Sequence, residues 1–421
     1  MSNGSDAVSN GDVGRARYRD VYAQPLALRL WLAATLSFAG DFVGLGALLL
    51  VAYDRSGHRP LGPAVVFAVQ ALPAVAVATA IGPWLDRIPR IGGLVSLCLI
   101  GAASLALPFV FGGLWPVLTA AAILGGGTTA FNSIRSGAIA DGVPRNVRGG
   151  LLALISLSLQ IADVVGYFTG ATVAIAVGVR PAMVADAATF VLAALLLAGA
   201  RVPRPARTGG RSSLTAGIST IFTDPTLAIL APVAWISLTF GALPVTLATA
   251  ALHGAYQGWA PAAMGAAGAG LAISGTVVGR SSMPYHVLSE LWYIAAGGAM
   301  FLLAAGGLTL DPRLLVAGNF LIGLGMGWNV AGQTTFVLVI DPSRIANVTS
   351  VMIASVIALN GLGAVVFGAV ASSLGVPAAY LLAGGLQVCC GLAGAGYGHA
   401  HPRSLDINRP LDRGKEQSTH K

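Results

Sequence analysis

The chain has 421 residues, of which 55% are hydrophobic and only 10% charged, with a mean hydropathy of +0.78. A soluble domain carries about 25% charged residues, so this composition excludes an ordinary soluble fold and points to lipid. The net charge of +8 is a question of placement before it is a question of partner.

A helix needs about 20 apolar residues to cross a bilayer. Twelve runs qualify, starting near Leu26, Gly62, Gly92, Leu114, Leu151, Ala182, Thr226, Gly258, Val287, Leu314, Ile345 and Ala378. Helices satisfy their own backbone hydrogen bonds inside lipid, so the expected fold is an all-α integral membrane protein. With the N-terminus placed inside, outer loops hold only Arg55, Arg59, Arg180 and Arg313 of the 24 basic residues. Positive charge is retained in the cytoplasm during insertion, so both termini are expected there, in the inner (plasma) membrane. The basic tails have no interleaved aromatics and read as orientation and headgroup contacts, with no nucleic acid implied.

Residues 1–24 are rich in Gly, Ser, Asn and Asp before Arg15, Arg17 and Arg19, and read as a disordered tail. The first apolar run is longer than the core of a signal peptide and carries Asp41, which favours a retained helix. Helical neighbours of Asp41 at spacings of three and four are Ser37, Phe38, Gly44 and Leu45, a small and partly polar face. A charged residue at the centre of a span costs roughly 2.5–3.5 kcal/mol on insertion scales, so Asp41 needs a reason. It is either a proton-exchanging group or a fixed hydrogen-bonding partner of a neighbouring helix.

Between the second and third runs lies Ile81-Gly82-Pro83-Trp84-Leu85-Asp86-Arg87-Ile88-Pro89-Arg90, too polar and turn-rich to cross. The pattern Gly82-x-x-x-Asp86-Arg87-x-x-Arg90 resembles the signature loop between helices 2 and 3 of the major facilitator superfamily of transporters. The stretch Leu36-Ser37-Phe38-Ala39-Gly40-Asp41 with this hairpin resembles the macrolide-efflux and siderophore-export branch. The resemblance implies twelve helices in two parallel six-helix repeats, alternating access, and a conformational gate at Gly82, Asp86, Arg87 and Arg90.

Internal repetition agrees with that arrangement. Leu124-Gly125-Gly126-Gly127 and Asp141 match Leu324-Gly325-Met326-Gly327 and Asp341 at an offset of 200 residues, and Gly170 then meets Gly368. The expected halves are residues 25–200 and 225–400, joined by a basic, Pro- and Gly-rich linker at 201–224, with a tail at 401–421. In the second half Gly275, Gly279 and Arg280 stand opposite Gly82, Asp86 and Arg87, so the acidic member is missing.

Two further carboxylates sit inside spans. Asp163 belongs to a stripe with Ser156, Gln160 and Tyr167, spaced four, three and four, which puts them on one helix face. They either line a pathway or bond between helices. Asp186 follows Arg180 and Pro181, a setting for structural pairing near a helix start, or for proton coupling with Asp41 and Asp163. By helical rise, all three carboxylates lie on the order of 20 Å from the cytoplasmic face.

In the fourth span Thr128, Asn132 and Arg135 share a face, and Arg135 is about 9 Å from the inner end by helical rise, within snorkelling reach of water. It could equally attract a substrate anion or an Asp. Trp328, Asn329 and Gln333 in the tenth span and Asn360 in the eleventh suit a binding wall or packing glue. In the fifth span Ala162-x-x-x-Gly166-Tyr167-x-x-Gly170-Ala171 carries Tyr where the family's antiporter motif has Pro.

Cys98, Cys389 and Cys390 imply no disulfide framework, and the His residues have no partners at metal-ligand spacing, so no metal or cofactor is implied. No nucleophile and base are grouped as an enzyme would need. The expected function is secondary active transport, in the form of a proton-coupled exporter, an antiporter acting as a monomer on a drug, antibiotic or siderophore-like molecule. Open alternatives are an uptake or facilitative carrier of a metabolite and a non-transporting scaffold or receptor.

Overall fold

The computed structural model describes residues 18–77, 81, 85, 87–202, 214–223, 258–278, 298–309, 311–326 and 345–400. Every regular element among them is a helix. In chain order these are α1 (Tyr18–Ala23), α2 (Pro25–Arg55), α3 (Leu61–Ala76), α4 (Arg90–Ser104), α5 (Leu107–Val110), α6 (Trp115–Gly142), α7 (Arg145–Ala176) and α8 (Val179–Ala198). They are followed by α9 (Leu214–Thr223), α10 (Ala260–Val278), α11 (Gly298–Thr309), α12 (Pro312–Met326), α13 (Ile345–Leu374) and α14 (Val376–Ala400).

Five of the described helices are long and apolar enough to cross a bilayer. At 1.5 Å per residue α2 spans about 46 Å, more than a hydrocarbon core of about 30 Å. The outward surface is apolar: Leu157, Ile161, Val165 and Phe168, spaced four, four and three, form one exposed stripe along α7. A water-soluble protein would not leave such a stripe open, whereas lipid covers it at no cost.

Expected tail residues 18–23 are helical. Val21 is fully buried, and the Tyr22 ring meets Trp31 edge-on at 5.6 Å. Packing of this apolar pair outweighs the polar composition of the preceding residues.

Helix α2 is the hub, held between α7 and α8 with α3 and α6 on its remaining sides. Close approach depends on residues without side chains. A Cβ at Gly170 would stand 2.6 Å from the Val43 Cα, and one at Gly166 would strike the Phe42 Cβ. On the opposite side Gly40 and Gly44 lie against Asp186 of α8. These are small-xxx-small contacts, the means by which helices approach when lipid offers no hydrophobic drive. Trp31 Nε1 donates to Ser158 Oγ at 2.9 Å and ties α2 to α7.

Among the described residues, the main contacts between the first group of helices and the later ones are α7 with α10 and α3 with α13. The α3–α13 seam runs from Leu61, whose N–H donates to Ser372 Oγ at 3.1 Å, through Gly368 against Ala64 to Gly361 against Ala71. Gly170 and Gly368, matched in the sequence repeat, therefore both occupy points of closest helix approach.

The bundle's two ends are tied differently. At the α2–α3 turn, Arg55 donates to the carbonyls of Gly113, at 2.8 Å, and Pro108, holding the α5–α6 turn. At the opposite end Arg90 of α4 donates from Nε to Asp141 Oδ2 of α6 at 3.0 Å, with Gly137 against the guanidinium. Arg148 there donates to the carbonyls of Ala140 and Val143 at 2.7 and 2.8 Å. It thus caps carbonyls that the end of α6 leaves free.

Candidate functional site

A cavity of about 330 Å³ lies among α2, α3, α6, α7 and α13. Helix α2 lines it with Phe38, Asp41, Phe42 and Leu45, spaced three, one and three so that they fall on one face. Helix α3 brings Phe67, Gln70, Ala71 and Ala74, α6 brings Gly125, Thr128, Thr129 and Asn132, and α13 brings Ile357, Asn360 and Gly361. Leu159 of α7 completes the wall. Gly361 and Ala71 belong both to the wall and to the α3–α13 seam, so the cavity begins where that seam ends, toward the end that carries Arg90 and Asp141.

Asp41 is the charged group on this wall. Its Oδ2 accepts a hydrogen bond from Thr128 Oγ1 at 3.4 Å, at the long limit of such contacts. The buried Oδ1 atoms of Asn132 and Asn360 meet no donor. A wall of apolar and aromatic side chains with a few convergent polar groups describes a small-molecule site, and 330 Å³ falls at the lower end of the usual range.

Asp186 lies elsewhere. It is 0% exposed, set in the notch that Gly40 and Gly44 leave on the other side of α2. The neighbouring Thr189 hydroxyl is spent on the backbone carbonyl of Asp186 at 2.7 Å, and neither carboxylate oxygen meets a donor. The expected pairing near the helix start is replaced by a helix-to-helix contact, because Arg180 stacks over Phe109 at 5.3 Å. Gly40 and Gly44 flank Asp41 in sequence, so the two carboxyl groups lie on different sides of the same stretch of α2.

Arg135 does not snorkel. Only 8% exposed, its guanidinium sits 5.3 Å from the Phe38 ring centre and 6.0 Å from that of Phe131. Its Nε and Nη1 meet no acceptor. Each aromatic face contributes about 2 kcal/mol when desolvated. Burying an ion costs several kcal/mol or more, so the two rings offset only part of the penalty.

The structure thus brings Phe38, Asp41, Asn132 and Asn360 to one cavity, with Arg135 behind Phe38. Ser37 faces a separate small void beside Cys98 and Phe131. Gln160, Asp163 and Tyr167 lie on α7, but their side chains are outside those described, and Trp328, Asn329 and Gln333 are outside the described residues altogether. So are Gly82 and Asp86 of the hairpin; Arg87 is exposed, while Arg90 holds the Asp141 pair. Phe42, Phe67, Gln70 and Thr129 line the cavity without having been singled out in the sequence. Gln70 carried a usable signal, as the one amide in an otherwise apolar run from Leu61 to Ala76, whereas Phe42 and Phe67 are aromatics among other apolar residues. Among the described residues no three potential ligands are placed to hold a metal.

The family model of the Major Facilitator Superfamily matches residues 30–310. No curated protein matches the sequence. Solved structures match the fold closely at low identity. The nucleoside transporter NupG aligns with a TM-score of 0.71 at 14% identity, over 89% of this chain and 99% of its own. The peptide transporter POT in complex with sulfate gives 0.70 at 15%, over 93% and 99%. A bacterial homolog of the human lysosomal transporter Spinster, inward-facing and occupied, gives 0.67 at 16%, over 92% and 99%.

Proposed function

Because the chain belongs to the Major Facilitator Superfamily and is a multi-pass membrane transporter, we propose that it is a proton-coupled exporter of a small, moderately hydrophobic molecule. The observation that carries this reading is Asp41, a carboxyl group on the wall of a mid-bundle cavity with one long hydrogen bond to Thr128. An ionised carboxylate in such surroundings is costly unless paired or hydrated, so the group gains or loses a proton as water reaches it or leaves.

With both termini cytoplasmic, the Leu61–Ser372 end of the seam is the outer one. The cavity is then reached from the cytoplasm, and α3 and α13 form the outer gate. Substrate enters against Phe38, Phe42 and Phe67. The halves rock, the seam opens, substrate leaves, and Asp41 takes a proton from outside and releases it inward on return. The Arg90–Asp141 pair holds one access state at the cytoplasmic end.

The test is transport of lipophilic dyes and antibiotics into inverted membrane vesicles, with and without a proton gradient, for the parent and Asp41→Asn. The expected outcome is gradient-driven accumulation by the parent that Asp41→Asn loses at normal protein levels. Accumulation that persists in the variant removes Asp41 from coupling. Gradient-driven movement in the opposite direction makes the protein an uptake carrier.

A further inference from the structure

Besides its carboxyl groups, the described bundle buries a cation, the guanidinium of Arg135. It is more than nine-tenths buried, two of its nitrogens meet no acceptor, and neither described ion pair involves it. Phe38 is shared: one ring forms a wall of the cavity and a face of the guanidinium. Asn132, one turn from Arg135 on α6, lines the same cavity and has a buried, unpartnered Oδ1. Among the described residues no carboxylate pairs with this cation, and desolvation without a counter-ion is costly, so an anion that reaches it recovers part of that cost on binding. The guanidinium fork suits a planar carboxylate, which accepts two parallel N–H bonds.

We propose that Arg135 is a head-group subsite and that the transported molecule is an amphipathic organic anion. Its carboxylate pairs with Arg135 at the Phe38 side of the cavity, and its apolar or aromatic body lies against Phe42, Phe67, Leu159 and Ile357. This deepens the transport reading and rests on it. Asp41 and Asn132 discriminate by position: the anion is held on the Arg135 side, away from the Asp41 carboxyl. A membrane potential negative inside also favours outward movement of such an anion.

The test uses the purified full chain in nanodiscs and three probes with one phenyl-alkyl body: phenylbutyrate, phenylbutanol and phenylbutylamine. Ligand-dependent thermal stability is read at neutral pH for the parent, Arg135→Gln and Arg135→Lys. Phenylbutyrate should stabilise the parent more than the other two probes. Arg135→Gln should weaken its apparent affinity by at least about tenfold, the loss of a charge-assisted hydrogen bond. Arg135→Lys should retain an intermediate response. The unliganded Arg135→Gln protein should melt no lower than the parent, since an unpaired buried charge has been removed. Equal stabilisation by all three probes, preference for the amine, no response to phenylbutyrate, or an unchanged response in Arg135→Gln would each overturn the subsite. If Arg135→Gln does not fold, a phenylbutyrate response in Arg135→Lys equal to the parent's overturns it, and a weakened one supports it. Vesicle transport is scored separately: binding of phenylbutyrate with no transport of any compound leaves the subsite standing and defeats the transport reading. Transport of neutral compounds without a phenylbutyrate response does the reverse.

Discussion

Helix α2 carries two unlike faces separated by less than one turn. Toward α6 and α13 it presents Phe38, Asp41, Phe42 and Leu45 to a cavity. Toward α8 it presents Gly40 and Gly44, and the space these leave is filled by the fully buried carboxyl group of Asp186. Both carboxyl groups lie within apolar helices, against the same stretch of α2. What separates them is room: Asp41 borders a cavity able to admit water or a ligand, whereas Asp186 is packed against backbone. Proton exchange needs such room, so under the proposed mechanism the two carboxyl groups make opposite predictions for transport.

The largest effect that tests this contrast is steric. A Cβ on Gly44 would collide with Asp186 Oδ2, so Gly44→Leu should destabilise the bundle by at least about 1–3 kcal/mol, the usual range for overpacking, and reduce the yield of monodisperse protein. Gly127→Ala is the control, since a Cβ there meets nothing within 4 Å and its melting temperature should match the parent's. Equal behaviour of the two variants would mean that the α2–α8 contact is looser than described.

Next comes the exchange test. Asp186→Asn should retain gradient-driven accumulation while Asp41→Asn abolishes it in the same vesicles. If Asp186→Asn is the inactive one, the sealed side carries coupling and the contrast is inverted.

A smaller effect sharpens the cavity face of α2. Thr128→Val removes the hydroxyl that donates to Asp41 and should slow transport by about fivefold, equivalent to one hydrogen bond, without changing protein level. An unchanged rate would mean that this long bond does not matter to Asp41.

The smallest effect concerns the α7 side of the same helix. Ser158→Ala deletes the acceptor of the Trp31 indole, and interhelical bonds in membranes average about 0.6 kcal/mol, so only a slight fall in melting temperature with unchanged transport is expected. A large loss of activity would assign α2–α7 a role in the conformational cycle.

Much of the architecture could be read from the chain because a bilayer leaves few choices. Apolar runs of sufficient length must be helices, since lipid provides no partner for a bare backbone. The charged hairpin with Gly82, Asp86, Arg87 and Arg90 pointed to the transporter family, and the family model agrees. Asp41 stood out for the energetic cost of a carboxylate in a span, and Asn132 and Asn360 for their polarity. Helical spacing alone grouped Ser37, Phe38, Gly44 and Leu45 around Asp41, yet the structure divides them among the cavity, a small void and the Asp186 notch.

The sequence by itself determined that this protein is a helical membrane protein with costly carboxylates in its spans, because hydropathy and charge are properties of single segments. Only the tertiary structure decided which of those groups meets a cavity and which is sealed. It placed Asp41 beside Thr128, sealed Asp186 against Gly40 and Gly44, and set the Arg135 guanidinium between two phenyl rings. Such assignments depend on how helices distant in sequence are rotated against one another, and no spacing along a single helix contains that angle.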